Sequence, residues 1–451
     1  MSTLGIIGIL AAMALLIIFV YKGMTNVYVA FICAALVCIT NDLPVLDSLL
    51  NTYLGTVGGW MKTGFVFAVI GSVFGTIYDK TGAADSLGSF LLSRLSGRKE
   101  IDVEKDRAAQ KRLIFLGVLC VMVVELLLTW TGISGIIVVV ASIPLVKSIA
   151  KTARIPKCYL PGLVMAGSSA AMAGPGSPCI GNIMANIILG TPATAALIPG
   201  LIGSAFIFFA ALFYLYFVIC RGIERGVAYE EMDTSTSAEK KAHQNFIFTL
   251  LPLIFVFVTY SILQLELVIC MFGAIILAIL LFCVMDKSKS FNYATTVNIL
   301  NDGIKTGAYV YFTVAALMGF ASVVQSTASF NAVIKYVSSI PGDPLIVATL
   351  SVIIFTLLTA SPVAALQLGL PPFIPAIESG TLSAEALHRC AVVATTTFES
   401  MPYCGAAIIA VSSFGVTFKD SYKHCFVVSV LITLLATILE MFILVAFPGL
   451  A

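Results

Sequence analysis

The chain has 451 residues, 59% hydrophobic and 11% charged, with a mean hydropathy of +1.05 and a formal net charge of +2. A soluble domain carries about 25% charged residues, so this composition excludes a soluble fold and predicts a polytopic membrane protein. The apolar runs continue for about 20 residues without the alternation of a membrane barrel, which predicts an all-α fold.

Three spans open the chain, at residues 4–21, 24–40 and 63–78, with a half-polar connector over 41–62. An amphipathic helix (83–95) and a charged loop (96–112) follow. The apolar stretch 113–146 is too long for one crossing and is interrupted at Thr129-Trp130-Thr131-Gly132, which predicts a hairpin. The next stretch, 158–189, is broken at Ala173-Gly174-Pro175-Gly176-Ser177-Pro178, and a span over 195–220 ends the first half. Proline removes a backbone donor and clashes with the preceding turn, so these breaks need partners. Irregular backbone at membrane depth is tolerated only inside protein or against a water-filled cavity.

After a polar linker, 221–244, the plan repeats over residues 245–451. Spans fall at 246–262, 267–285 and 307–324, an amphipathic piece at 328–337, and a hairpin at 345–377 interrupted at Thr359-Ala360-Ser361-Pro362. A broken helix over 386–413 contains Thr395-Thr396-Thr397-Phe398-Glu399-Ser400-Met401-Pro402-Tyr403-Cys404-Gly405, and a last span covers 425–447. Equal order with little identity is the pattern of transporter repeats. The first repeat is then residues 1–220, with scaffold spans inside 1–95.

Cytoplasmic loops carry excess Lys and Arg. Arg94, Arg98, Lys99, Lys105, Arg107, Lys111 and Arg112 precede the first hairpin, and Lys147, Lys151, Arg154 and Lys157 follow it. Placing both groups inside makes 113–146 re-entrant. Arg221, Arg225, Lys240, Lys241, Lys287, Lys289, Lys419 and Lys423 then also fall inside. The second hairpin enters from outside, where Lys335 and Arg389 are the few flanking cations, and both termini come out extracytoplasmic. The two halves are therefore inverted.

Each break exposes a half-helix N-terminus with orphan N–H groups and partial positive charge, so a carboxylate can bind without Lys or Arg. The candidate binding groups are Thr129, Thr131, Gly132 and Ser134 at the first tip and Gly176, Ser177 and Asn182 at the first break. In the second half they are Ser361 and Gln367 at the tip and Thr396, Thr397, Ser400 and Tyr403 at the break. Any single hydroxyl has a structural alternative, a bond to a carbonyl one turn back; the clusters favour a site. A carboxylate taken out of water holds its proton more tightly, which makes Glu399 the first candidate for proton coupling and Glu125 the second. Glu266 reads as wetted, and Glu440 as snorkelling or paired near the end of the last span. The cysteines lie mostly singly in apolar runs, as Cys33, Cys120, Cys270 and Cys283 do, without metal-ligand spacing. No metal, cofactor or nucleotide is expected, because the glycine-rich run at Gly174 lacks the Lys of a phosphate loop.

Span, hairpin and broken helix, twice and inverted, resemble the ion transporter superfamily. Ile143-Pro144-Leu145-Val146-Lys147-Ser148-Ile149-Ala150 is similar to the segment after the first hairpin of its gluconate:proton symporter (GntP-type) permeases. Leu387-His388-Arg389-Cys390-Ala391, Ser400-Met401-Pro402-Tyr403-Cys404-Gly405-Ala406, and Gly415-Val416-Thr417 with Lys419 to Tyr422 are similar to members that take 3-hydroxybutyrate. The resemblance implies proton symport of a small organic acid anion in a bacterial inner membrane, a homodimer, and elevator motion of hairpins and broken helices against a scaffold. The gluconate members carry His-Val-Asn-Asp-Ser-Gly in the second broken helix, where this chain has Glu399 to Gly405; they also carry an acidic residue after the first tip, where it has Ile136. The departures favour a smaller, less hydroxylated carboxylate. The alternative is a sodium-coupled dicarboxylate or citrate carrier, whose Ser-Asn-Thr tips are missing at Thr131-Gly132-Ile133 and Ser361-Pro362-Val363.

Overall fold

The computed structural model describes residues 3–22, 24–59, 64–81, 106–130, 135–177, 179–230, 251–252, 254–256, 258–259, 263, 265–285, 293–338, 340–359 and 361–451. Among these there is no strand. The helices that position the site are α1 (Thr3–Tyr21), α2 (Asn26–Thr40), α3 (Gly64–Thr81), α4 (Arg107–Trp130), α5 (Gly135–Ala153), α6 (Leu160–Ala173), α7 (Ile180–Leu189) and α8 (Leu197–Glu224). The second half gives α9 (Leu267–Met285), α10 (Tyr293–Gln325), α11 (Ala328–Ser338), α12 (Pro344–Thr359), α13 (Pro362–Gly369), α14 (Ala384–Thr397), α15 (Gly405–Ser413) and α16 (Phe418–Ala446). Three of them, α4, α8 and α16, are long and apolar enough to cross a membrane. The protein is thus an all-helical membrane protein.

The expected interruptions fall where the glycines and prolines stand. The first broken helix stops at Ala173 and resumes at Ile180, and the second stops at Thr397 and resumes at Gly405. At 14, 10, 14 and 9 residues, these halves reach about 13–21 Å at 1.5 Å per residue. None covers a hydrocarbon core of about 30 Å by itself. The second hairpin is asymmetric, with 16 residues in α12 and 8 in α13. The expected helix over 83–95, the loop to residue 105, and the tip residues Thr131, Gly132 and Ser134 lie outside the described residues, as do linker residues 231–244.

Three boundaries move. α10 begins at Tyr293, not near residue 307, because its polar first turns carry Asn298, Asp302 and Lys305 with no proline to stop them. The connector after α2 is helical and contains a π turn over Ser48–Tyr53. α16 begins seven residues early, where Thr417 caps it by accepting from the Asp420 N–H at 3.3 Å.

The halves of the chain interleave. One core joins α4, α5, α6 and α8 to residues of α15 and α16. A second joins α1 and α2 to α10, α12, α13 and α14. Basic chain ends collect together: Lys111 pairs with Glu224 at 2.6 Å and Lys157 with Glu230 at 3.5 Å. His424, beside Lys423, packs 4.7 Å from the Tyr159 ring. The outer ends of the α4–α5 pair and the end of α8 therefore share one end of the bundle.

Close approach between α4 and α6 depends on Gly167. A Cβ there would meet the Met122 carbonyl carbon at 2.9 Å and the Glu125 Cβ at 2.7 Å, whereas one at Gly58 would meet nothing within 4 Å. Overpacking a filled core costs about 1–3 kcal/mol. Gly167→Leu is expected to lower the thermal unfolding midpoint in detergent by several degrees, with Gly58→Ala unchanged; equal midpoints would show that α4 and α6 can part without penalty.

Candidate functional site

A cavity of ≈ 490 Å³ lies where the second hairpin, the second break and α10 meet. Thr359, Ser361 and Gln367 line it from the hairpin, and Glu399, Tyr403, Cys404 and Gly405 from the break. Thr56, Ser322 and Gln325 form the facing wall. This wall is fixed by a 2.8 Å bond between the Thr56 and Ser322 hydroxyls, and by the Tyr311 hydroxyl donating to the Val57 carbonyl at 2.8 Å. Among the described residues no lysine or arginine lines the cavity. Two helix starts face it: α13 and α15 both begin on it, at Pro362 and Gly405, and a helix N-terminus carries partial positive charge. Ser361 accepts from the Ala364 N–H at 3.3 Å, but Cys404 gives α15 no side-chain cap. The first N–H groups of α15 are left for another acceptor.

The second break is held open by two tyrosines. The Tyr403 hydroxyl donates to the Leu357 carbonyl at 2.5 Å, tying the break to the end of α12. The Tyr422 hydroxyl donates to the Ser400 carbonyl at 2.9 Å. Each satisfies a carbonyl near the end of a helix, which has no partner inside its own ladder. Glu399 is half-buried on the cavity wall beside Tyr403. A Cβ on Gly181 would sit 3.4 Å from the Thr395 hydroxyl. The two breaks thus come together.

Other candidates are placed elsewhere. The Thr395, Thr396 and Thr397 hydroxyls donate to the carbonyls of Val392, Val393 and Ala394 at 2.6–2.7 Å, the local alternative, and none lines the cavity. Ser400 contributes its carbonyl. In the first half, the Ser177 hydroxyl lies 2.8 Å from the Cys179 sulfur, and that thiol donates to the Thr129 carbonyl at 3.5 Å. The Thr129 hydroxyl is buried without a partner among the described residues. Gly176 takes φ +77°, a left-handed conformation suited to glycine, and its N–H donates to the Ala193 carbonyl at 2.9 Å. Glu125 accepts from the Gly167 N–H at 2.9 Å, away from the cavity.

The first break is closed by residues that sequence reasoning placed differently. Arg389, counted above as an outer flank, is fully buried on α14. Its Nε donates to the Ala195 carbonyl at 3.2 Å, one terminal nitrogen to Ala173 at 3.0 Å, and the other to Ala193 and Asn182 Oδ1 at 3.2 Å each. Asn182 also donates to the Gly174 carbonyl at 3.1 Å and faces His388 Nε2 at 3.3 Å, while Thr191 meets His388 Nδ1 at 2.6 Å. Asn182 is therefore a fastener between breaks and not a cavity wall. Glu440 does not snorkel; it too is fully buried. The sequence signal for Arg389 is a cation beside His388, one turn after Glu385 and followed by the apolar run Cys390–Ala394.

No family profile matches the chain. It is 23% identical over 470 aligned positions to an uncharacterized transporter, YxjC, of Bacillus subtilis (strain 168), covering 94% of this chain and 96% of that one. The solved YdaH transporter of Alcanivorax borkumensis overlaps 90% of this chain and 89% of its own with 15% identity and a TM-score of 0.35, too loose to define a shared fold.

Removing Arg389 would strand buried carbonyls, each at a cost of about 1–3 kcal/mol. Arg389→Gln is expected to lower the unfolding midpoint more than any single substitution of a cavity hydroxyl, such as Ser361→Ala. A smaller effect in differential scanning fluorimetry would show that the carbonyls find other donors.

Proposed function

We propose that this protein is a proton-coupled symporter of a small organic acid anion, a GntP-type permease of the ion transporter superfamily. The observation that carries the reading is the cavity in which two half-helix N-termini and one carboxylate, Glu399, meet, with no lysine or arginine among the described lining residues. A substrate carboxylate on those N–H groups and an ionised Glu399 repel one another; two charges 4 Å apart interact by about 4 kcal/mol at an effective dielectric of 20. Protonating Glu399 removes that repulsion. Anion and proton then load together, and by linkage each favours the other.

The walls also bear on substrate size. Leu317, Phe320, Ala321 and Leu358 give the cavity an apolar wall, and its hydroxyls, on Thr56, Ser322, Thr359, Ser361 and Tyr403, already bond within the protein. This favours a short hydroxycarboxylate such as 3-hydroxybutyrate over a polyhydroxylated sugar acid, which would leave its hydroxyls unpaired. The similarity to a protein named as a transporter over 94% of the chain supports carrier function. In this reading residues 1–220 and 245–451 are inverted repeats with re-entrant hairpins, and α10 with the 54–59 helix belongs to the scaffold. The hairpins and broken helices then move against it in a homodimer of the bacterial inner membrane, with both termini outside.

Proteoliposomes test this. With an inward proton gradient and no sodium, labelled 3-hydroxybutyrate is expected to accumulate. Glu399→Gln is expected to reduce gradient-driven accumulation at least tenfold while substrate exchange stays within a few-fold of wild type. Accumulation that requires sodium, or that survives in Glu399→Gln, would reject proton coupling at this residue.

A further inference from the structure

Glu440 is the buried ionisable group that the cavity does not use. It lies in α16 opposite α8, with no solvent exposure, and neither carboxyl oxygen has a hydrogen-bond partner among the described residues. Space for it is made by Gly203, where a Cβ would overlap the carboxyl group. One turn away, Gly200 makes space for Arg389, whose Cδ and Nε lie 2.8 and 2.9 Å from a Cβ built there. Residues three apart on a helix have Cβ atoms about 5–6 Å apart, so α8 sets the two side chains side by side in one glycine notch. They make no ion pair: four of the five N–H donors of Arg389 go to Ala173, Ala193, Ala195 and Asn182.

We propose that Glu440 is a proton-binding site governed by Arg389: it is the neutral acid while Arg389 clamps the first break, and it ionises when that clamp loosens and the guanidinium turns to it. A buried carboxylate with no donor is costly and neutralises instead. The same carboxylate with a forked guanidinium as donor is stable. A forked bond needs two donors and Arg389 has only one of its five left, so full pairing with Glu440 releases part of the clamp, and proton loss at Glu440 and loosening of the break are one equilibrium. The other elements packed on α16 do not interfere. α14 presents Arg389 and Cys390 to Glu440, α12 has no charged residue, and the charges of α8, Arg221 and Glu224, lie at its far end.

Infrared difference spectroscopy on the purified chain, titrated in H₂O and D₂O, reads this directly and requires no transport. Wild type is expected to show a protonated-carboxyl stretch at neutral pH that Glu440→Gln lacks. In Asn182→Ala, which frees one Arg389 donor, the pH at which this stretch disappears is expected to fall by about one unit, a tenfold change in proton affinity. If Glu440→Gln leaves the protonated-carboxyl region unchanged and loses an ionised-carboxylate band, Glu440 is a static partner of Arg389 and the proposal is wrong. If Glu440→Gln removes the stretch but Asn182→Ala leaves its midpoint in place, Arg389 does not govern the proton. Gel filtration and far-ultraviolet circular dichroism show whether Asn182→Ala is folded; if it is not, Asn182→Ser carries the same comparison.

Discussion

The structure depends on how a polypeptide closes a gap in a helix where water cannot help. At Gly174 the first broken helix leaves carbonyls pointing at protein interior, and the segment before α8 adds more. Arg389 answers them with one planar group carrying several donors at fixed angles, reaching Ala173, Ala193 and Ala195 at 3.0–3.2 Å. A lysine ammonium has fewer donors and is more strongly hydrated, and so less suited to a dry site. Because Arg389 belongs to the second broken helix and its acceptors to the first, the bond network that closes one gap also fixes the distance between the two.

Space is the second condition, and glycine supplies it. α8 carries Gly200 against Arg389 and Gly203 against Glu440, while Gly167 of α6 admits Glu125. Among the described residues, the fully buried Glu125, Arg389 and Glu440 each lie against a helix surface from which the Cβ is missing. In a bilayer, where lipid is as apolar as a leucine side chain, small residues let helices approach closely enough for packing and polar contacts to hold them. Here the same device makes room for polar groups without cutting a water channel to them.

The two breaks are built alike and used differently. Each resumes helix after an extended cysteine, Cys179 at φ −71° and Cys404 at φ −92°. The first is stitched shut by Arg389, Asn182 and His388. The second is propped by Tyr403 and Tyr422, so its helix start remains on a cavity with Glu399 beside it. A polar group that has found its partner inside the protein is lost to a ligand, and this is why the cavity lies at the second break.

Residue order alone determined most of the architecture. Apolar run lengths gave the all-helical class, and Pro175, Pro362 and Pro402 located the interruptions, because proline's missing N–H is a local property. Glu399 and Ser361 could be picked out as polar groups beside those prolines for the same reason. What the chain does with its other polar groups was decided only in three dimensions. The three threonines before Glu399 turn back on their own helix, Asn182 goes to Arg389, and Gln325, Ser322 and Thr56 reach the cavity from 74, 77 and 343 residues before Glu399. Arg389 was misplaced as an outer flank because charge counting assumes that a cation near a span's end finds water. Its true surroundings are carbonyls nearly 200 residues earlier, and hydrogen bonds across such a distance leave no periodicity in the sequence.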